Sequence, residues 1–463
     1  MKRAPLSCLF PILFCTFLMA SNPVPLIYQP LIPASVTPGG SGFTLTVHGT
    51  GFVSGAVVKA NGIQLRTKFV NSTTLKAEVP AVAITKAATL SITAANPGGI
   101  DSNVVFFSAR NSSTRVTVEA DPVGVKGGEL AVGDFNGDQR PDISVFWTNN
   151  DNGNSPLDTY FSRGNGTFLK INGPQLQLGD TALCGPSATG DFNNDGNLDV
   201  AVCSLDFGGD PSSYTVFLGN GHGGFTSQAG LVYGSGVVAD MNGDGILDLV
   251  TTTSFGGPPT LFIYLGNGDG TFTESQMVQL DAGVDGTPVV GDFDGDGKLD
   301  VAVPGTVIAV LLGNGNGTVG PEADYPGGGH LGLGAAVADL NGDGKLDIIT
   351  SGTAVLLGNG NGTFTLGTTV PAEGFNVEIA DFNGDGKLDV ATVGQGVTTG
   401  QMLTMLLGTG TGTFEPALTF NLPVGSFYMG IADFNNDGLM DFAVGGTADN
   451  SQSTAVLLQT ATK

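Results

Sequence analysis

Three hydrophobic patterns follow one another along the chain. Between Pro23 and Ala109 apolar and polar residues alternate, as at Leu45 and Val47, then Leu90, Ile92 and Ala94, then Val104 and Phe106. A period of two predicts half-buried strands. Gly39–Gly40, Asn61–Gly62 and Asn96-Pro97-Gly98-Gly99 separate them as turns. Beyond Ser113 the pattern becomes short apolar runs such as Val200-Ala201-Val202, Val301-Ala302-Val303 and Ile348-Ile349, each read as a buried strand. A second run then ends in a Gly/Asn turn and an aromatic, as in LGNGDGTF from Leu265 to Phe272 and LGNGNGTF from Leu357 to Phe364. Asn-Gly between apolar runs predicts a hairpin. The third pattern is one apolar stretch, Leu6 to Met19, behind Lys2 and Arg3. Together these predict an all-β protein: a small sandwich, then many short strands.

Each buried run is preceded by one kind of polar stretch, best seen as DFNNDGNLD at Asp191–Asp199. Oxygen-bearing side chains occupy positions one, three, five and nine, with glycine at six. Alternate oxygen ligands around a sharp turn are what a hard cation such as Ca²⁺ requires of a tight loop. Seven copies occur. Their candidate ligands are Asp134, Asn136, Asp138 and Asp142; Asp191, Asn193, Asp195 and Asp199; Asp240, Asn242, Asp244 and Asp248; Asp292, Asp294, Asp296 and Asp300; Asp339, Asn341, Asp343 and Asp347; Asp381, Asn383, Asp385 and Asp389; and Asp433, Asn435, Asp437 and Asp441. Position seven varies freely (Arg140, Asn197, Ile246, Lys298, Lys345, Lys387, Leu439), so it is expected to contribute its backbone carbonyl. The first loop carries Gln139 in place of the turn glycine, and Pro141 before its last ligand. The fourth has four acidic ligands and is expected to bind most tightly.

An EF-hand would need a bidentate Glu at position twelve, where this chain has Val145, Val202, Thr251, Val303, Thr350, Thr392 and Val444. A nonapeptide β-roll would repeat every nine residues or so. Here successive loops are 57, 49, 52, 47, 42 and 52 residues apart. A period of about fifty is the size of a four-stranded propeller blade.

The loops and the GNGxGTF turns resemble the FG-GAP (VCBS-type) repeats of integrin α-chain propellers and many bacterial surface proteins, from about Ser113 onward. The resemblance implies a seven-bladed β-propeller over residues 114–463 with up to seven structural Ca²⁺, one in the hairpin between the first two strands of each blade. The last repeat lacks its GNGxGTF turn, and Thr114–Glu119 is a spare strand at the other end, so the two are expected to pair and close the ring. Residues 23–109, through GGSGFTLTVHGTGF (Gly39–Phe52), VVKANG (Val57–Gly62) and TLKAEVP (Thr74–Pro80), resemble the IPT/TIG immunoglobulin-like family. That implies a β-sandwich recognition module or spacer, here without an inter-sheet disulfide. Arg110–Ser113 reads as a short linker.

Charge and composition narrow the function. The formal charge of −25 argues against a nucleic-acid partner. Residues 1–20 read as a secretory signal, with Leu18 a large residue at −3 and an uncleaved anchor the alternative; no later run is long enough to span a membrane. Of the four cysteines, Cys8 and Cys15 fall in this segment, and Cys184 and Cys203, flanking the second loop, are expected to form a disulfide in an exported protein. His48 is read as structural, His222 as a solvated turn residue, and His330 as the histidine best placed for a function. No Ser/His/Asp set, zinc spacing or DxSxS motif is present, so the protein is expected not to be an enzyme. Asn-Gly-Thr at Asn165, Asn316 and Asn361 falls in the repeated turn, which explains it without glycosylation.

Calcium loops and GNGxGTF turns must share one face of the ring. The opposite face carries the variable loops and a candidate ligand surface: Trp147, Asp151, Phe207, Asp210, Phe255, Tyr325, His330 and Tyr428. For any one of these residues, local packing over strand ends is an equal alternative. The reading that follows is a secreted or surface-associated adhesion or recognition protein with an extracellular protein or glycan ligand. A carbohydrate-binding or polysaccharide-processing protein and a structural spacer are the alternatives.

Overall fold

The computed structural model describes residues 23–113, 116–125, 128–147, 154–177, 181–183, 187–206, 213–228, 232–253, 258–327, 334–352, 354–369, 374–395, 401–422, 427–448 and 451–461. The expected secretory segment lies outside them. Apart from a single 3₁₀ turn at Ala81–Ile84, the elements among the described residues are strands.

Residues 26–109 form a two-sheet sandwich. One sheet orders Leu26–Ile27, Phe43–Thr50, Thr74–Val79 and Arg66–Asn71; the other orders Ser35–Val36, Val105–Ala109, Ala88–Ala95, Val57–Ala60 and Ile63–Gln64. The alternation seen in the sequence becomes the core, with Leu45, Val47, Leu75 and Ala77 meeting Val58, Leu90, Ile92 and Ala94. The last strand corrects the expected phase. Val105 and Phe107 enter the sandwich core, whereas Val104 and Phe106 pack outward against the rest of the chain. Both faces of this strand are covered, so its burial does not alternate.

Among the described residues, seven further sheets follow, most with four antiparallel strands in sequence order. The third is representative: Ser235–Ala239, Asp248–Thr253, Thr260–Gly266 and Phe272–Gln279. The seventh consists of Tyr428–Ala432, Asp441–Ala448, Ser451–Ala461 and, outermost, Val116–Val125 from the other end of the chain. Val116 is opposite Ala461, and the register runs unbroken to Asp121 opposite Val456. The expected pairing of the spare strand is therefore present, ending six residues beyond the Glu119 that the sequence suggested. The first strands of consecutive sheets touch, and Tyr428–Ala432 of the seventh touches Glu129–Gly133 of the first.

A repeated bond joins neighbouring sheets. The glycine at the fifth position of each GNGxGTF-type turn donates its N–H to the carbonyl of position two in the preceding sheet's acidic loop: Gly223 to Phe135, Gly270 to Phe192, Gly317 to Met241, Gly362 to Phe293 and Gly412 to Leu340, at 3.0–3.2 Å. Gly166 of the first sheet reaches Phe434 of the seventh at 3.2 Å. The seventh sheet has no such turn; there the Gln459 side chain donates through Nε2 to the Phe382 carbonyl at 2.5 Å. Turn aromatics follow the same path, Phe225 edge-on to Phe135, Phe272 to Phe192, Phe364 to Phe293 and Phe168 to Phe434.

Candidate metal centres

Each acidic loop joins the first and second strands of its sheet, and each is wrapped by the same backbone bonds. In the second, Asp191 Oδ1 and Oδ2 accept the N–H groups of Asp195 and Gly196 at 3.0 and 2.8 Å. Asn193 Oδ1 accepts Asp195 N–H at 3.1 Å, and Asp195 Oδ1 accepts Asn197 N–H at 2.8 Å. Alternate side chains thus bend inward over a tight turn. Position six adopts a positive φ throughout, which glycine supplies freely in six loops and Gln139 adopts at φ 65° in the first.

Position nine is the buried end of the site. Both oxygens of Asp199 are held, Oδ2 by Phe192 N–H at 2.8 Å and Oδ1 by Gly219 N–H at 2.7 Å. The same pair of bonds recurs at Asp142, Asp248, Asp300, Asp347, Asp389 and Asp441. Burial pushes these carboxyls up, to about 8 at Asp142 and Asp441 and about 7 at Asp199, Asp248, Asp300 and Asp389; backbone N–H bonds pull back and the other loop carboxylates push further. Buried negative charge of this kind is stabilised by a cation.

In the fourth loop the carboxylate oxygens of Asp292, Asp294 and Asp300 lie within 4.8 Å of one another. Three hard oxygens converging on one point fit Ca²⁺. Position-seven side chains act on the rim: Lys298, Lys345 and Lys387 pair with Asp296, Asp343 and Asp385 at 2.6, 3.2 and 3.4 Å, and Arg140 with Asp138 at 3.9 Å.

The sandwich sits over these loops, an arrangement absent from the sequence reading. Ser35 Oγ donates to Asp381 Oδ2 and Thr89 Oγ1 to Asp433 Oδ2. Ser72 Oγ reaches the Gly297 carbonyl at 3.0 Å, Thr50 Oγ1 the Asp240 carbonyl at 3.4 Å, and Ser91 Oγ pairs with Gln139 Oε1 at 3.1 Å. Ile100 lies close over Gly196, and Ala34 packs against the apolar cluster that includes Leu340. Six of the seven loops are thereby touched, and Asp339 of the fifth lies near enough to act on the charge of His48. Arg110, expected in a linker, is 3% exposed; its Nη2 donates to the Asp381 carbonyl at 2.8 Å and lies 3.9 Å from Asp381 Oδ1. The sequence signal available was one cation in a chain with 17 Lys and Arg, placed just before an acid-rich region.

Two segment families account for most of this chain. An FG-GAP-like repeat model matches residues 134–202, 191–251, 240–303, 304–350 and 381–444, and an IPT/TIG domain model matches 27–109. The chain belongs to the FG-GAP-like repeat family. No curated protein matches it. Among solved structures it is similar to an auxiliary nutrient binding protein from Bacteroides ovatus (12% identity, covering 95% of this chain and 98% of that one, TM-score 0.39). It is also similar to a protein from Lactobacillus plantarum (13%, 73% and 97%, TM-score 0.44) and to the Aleuria aurantia lectin in complex with α-methyl-L-fucoside (12%, 73% and 93%, TM-score 0.34).

Outside the FG-GAP loops, three of the eight expected ligand-face residues are described: Trp147 packs within its own sheet, and Tyr325 and Tyr428 lie on strands beside residues of other sheets. Trp147 is half-buried and donates through Nε1 to Asp158 Oδ2 at 3.0 Å. Tyr325 lies within the strand Val319–Pro326, its ring edge-on to Phe364, so it is not a loop residue. Tyr428 begins a first strand, and burial holds its hydroxyl well above the usual range, with Glu129 and Tyr214 nearby. Asp151, Phe207, Asp210, Phe255 and His330 lie outside the described residues, as does Cys184; Cys203 is disulfide-bonded. His48 is half-buried on its strand beside Thr74, and His222 is exposed in its turn. The Asn165, Asn316 and Asn361 side chains accept bonds from the threonine two residues on, as turn residues do. No helix among the described residues is long and apolar enough to cross a membrane.

Proposed function

We propose that this is an exported, non-enzymatic recognition or adhesion protein built on a closed seven-bladed propeller, with structural Ca²⁺ in its FG-GAP loops. The closed ring is supported by the touching first strands, the Val116–Val125 strand pairing with Ser451–Ala461, and the turn-to-loop bonds that return from Phe434 to Gly166. The calcium reading is carried by one observation, the convergence of Asp292, Asp294 and Asp300 in a loop whose form recurs in the other six. When bound, Ca²⁺ supplies the positive charge that offsets the carboxylates at positions one, five and nine, of which position nine is buried in every loop and position five is exposed. The chain's own part is to hold those oxygens in place through backbone N–H groups and a turn at position six.

Because the sandwich covers the loop side, recognition of an extracellular protein or glycan is assigned to the opposite side, where the loops between second and third strands lie. Thermal unfolding in millimolar Ca²⁺ and in chelator tests the metal reading, since extracellular calcium modules bind with Kd of roughly 10⁻⁴–10⁻³ M. A fall of many degrees in chelator is expected, and a melt indifferent to it refutes structural calcium. A screen of the calcium-loaded protein against glycans and matrix proteins tests recognition. No binding by the folded protein would leave the spacer alternative.

A further inference from the structure

The sandwich touches loops six and seven differently from the others. At loops three and four its hydroxyls reach main-chain carbonyls, Thr50 to Asp240 and Ser72 to Gly297, and at loop one Ser91 meets the Gln139 side chain. At loops six and seven, Ser35 and Thr89 instead donate to position-one carboxylates, Asp381 and Asp433. Ser108 Oγ donates to the Gly438 carbonyl, and Ser113 N–H to the Asn383 carbonyl at 2.6 Å. Arg110 enters the same region with its Nε and Nη1 buried and unpartnered, among the fields of Asp381, Asp389, Asp437 and Asp433.

Charge counting shows what this corner requires. Loops six and seven hold three aspartates each at positions one, five and nine, six negative charges against the single positive charge of Arg110. One divalent cation per loop would leave a residual charge of −2, which Arg110 halves. Without cations the repulsion falls on the two carboxylates that accept from Ser35 and Thr89. A carboxylate that turns away no longer accepts from its hydroxyl, and Arg110 loses its counter-charge.

We propose that docking of the IPT/TIG sandwich on the ring is thermodynamically linked to divalent-cation occupancy of loops six and seven, with Ser35, Thr89 and Arg110 as the linking residues. The inference rests on the calcium reading above. A cation fixes the position-one carboxylate while leaving an oxygen turned toward the hydroxyl; the hydroxyl in turn holds that carboxylate in the orientation the cation needs. By reciprocity, whatever affinity docking gains from the cation, the two sites gain from docking.

The test uses the full chain with spin labels at Val82→Cys and Met277→Cys, both exposed, on the sandwich and on an outer strand of the third sheet. Distances are measured by pulsed electron resonance across a calcium titration, and bound calcium is counted on the same samples. The expected result is a narrow distance distribution in calcium that broadens in chelator below the unfolding temperature. In Ser35→Ala/Thr89→Val the narrowing should need about five- to tenfold more calcium, the lower end of usual coupling. Ser72→Ala, which loses a bond to a main-chain carbonyl, should match wild type. A distribution equally narrow with and without bound calcium, or a double variant titrating like wild type, overturns the linkage while leaving calcium binding intact. Absence of any bound calcium overturns both.

Discussion

Gln459 offers a test of how the seventh sheet is tied to the sixth. Its side chain stands where every other sheet has a turn glycine, and its Nε2 donates to the Phe382 carbonyl at 2.5 Å. It is 2% exposed, and its Oε1 has no partner. Gln459→Glu keeps the shape and replaces the donor by an oxygen facing a carbonyl. At neutral pH this leaves a buried carbonyl without a donor and buries a carboxylate without a partner, for which about 3 kcal/mol is a fair magnitude. In acid the substituted carboxyl is protonated and can donate, so the penalty should shrink to about 1 kcal/mol or less. If the closure opens locally, 3 kcal/mol means roughly 150-fold more opening. Amide hydrogen exchange reads this directly: residues 116–121 and 456–461 should exchange about two orders of magnitude faster at pH 8, with the third sheet unchanged. Equal protection of the closing strands in variant and wild type at pH 8 would refute the idea that Gln459 substitutes for the missing turn.

Three further outcomes are expected. Burial pushes the Glu378 carboxyl up from 4.5 to about 8. Folding therefore favours its protonated form, and the stability this gives is complete below pH 4.5 and lost as pH rises to 8. At 1.36 kcal/mol per tenfold in acidity the limit is about 5 kcal/mol, and the side chain's partial access to solvent reduces it to about 2. Glu378→Gln should accordingly match wild type in urea unfolding at pH 4 and exceed it at pH 9. Gln139→Gly should raise stability by about 0.5–1 kcal/mol, because glycine relieves a left-handed residue at φ 65° while costing chain entropy; a lower urea midpoint would contradict the strain. Asp158 accepts from Trp147 Nε1 at 3.0 Å, Lys170 Nζ at 2.7 Å and Gly173 N–H at 3.2 Å. Asp158→Ala should cost about 3 kcal/mol and shift the emission of the single tryptophan to the red, and unchanged emission would show that Trp147 is held by other contacts.

The repeats could be read from the sequence because their signals are local. A loop such as Asp191–Asp199 carries its ligands, its turn glycine and its exit strand within a dozen residues, and the bonds that wrap it join residues two to seven apart. Pairing of the terminal strands was readable for a different reason: one sheet lacked a strand and one strand lacked a sheet. The covering of the loops by the sandwich had no such trace. Ser35 and Asp381 are 346 positions apart, and a serine that bonds a distant carboxylate looks like any other serine. Phase failed at Val104–Phe107 because alternation identifies faces only when one of them is wet, and here a second body covers the other. Tyr325 and Tyr428 were assigned to loops because strand ends are the least legible feature of a β sequence.

The strand Val116–Val125 has a consequence for synthesis. Its partner, Ser451–Ala461, is made more than three hundred residues later. At translation rates of about 5–20 residues per second, the early strand waits roughly 20–70 s with an unpaired edge. Joining ends so far apart costs about 5 kcal/mol in chain entropy, against about 3.5 for a fifty-residue repeat. The sandwich can fold once the chain has been made past Ala109, while the seventh sheet must await Ser451–Ala461. A nascent chain that stopped before Ser451 would hold six complete sheets and an unmatched strand between the sandwich and the first of them, a template for pairing with another chain.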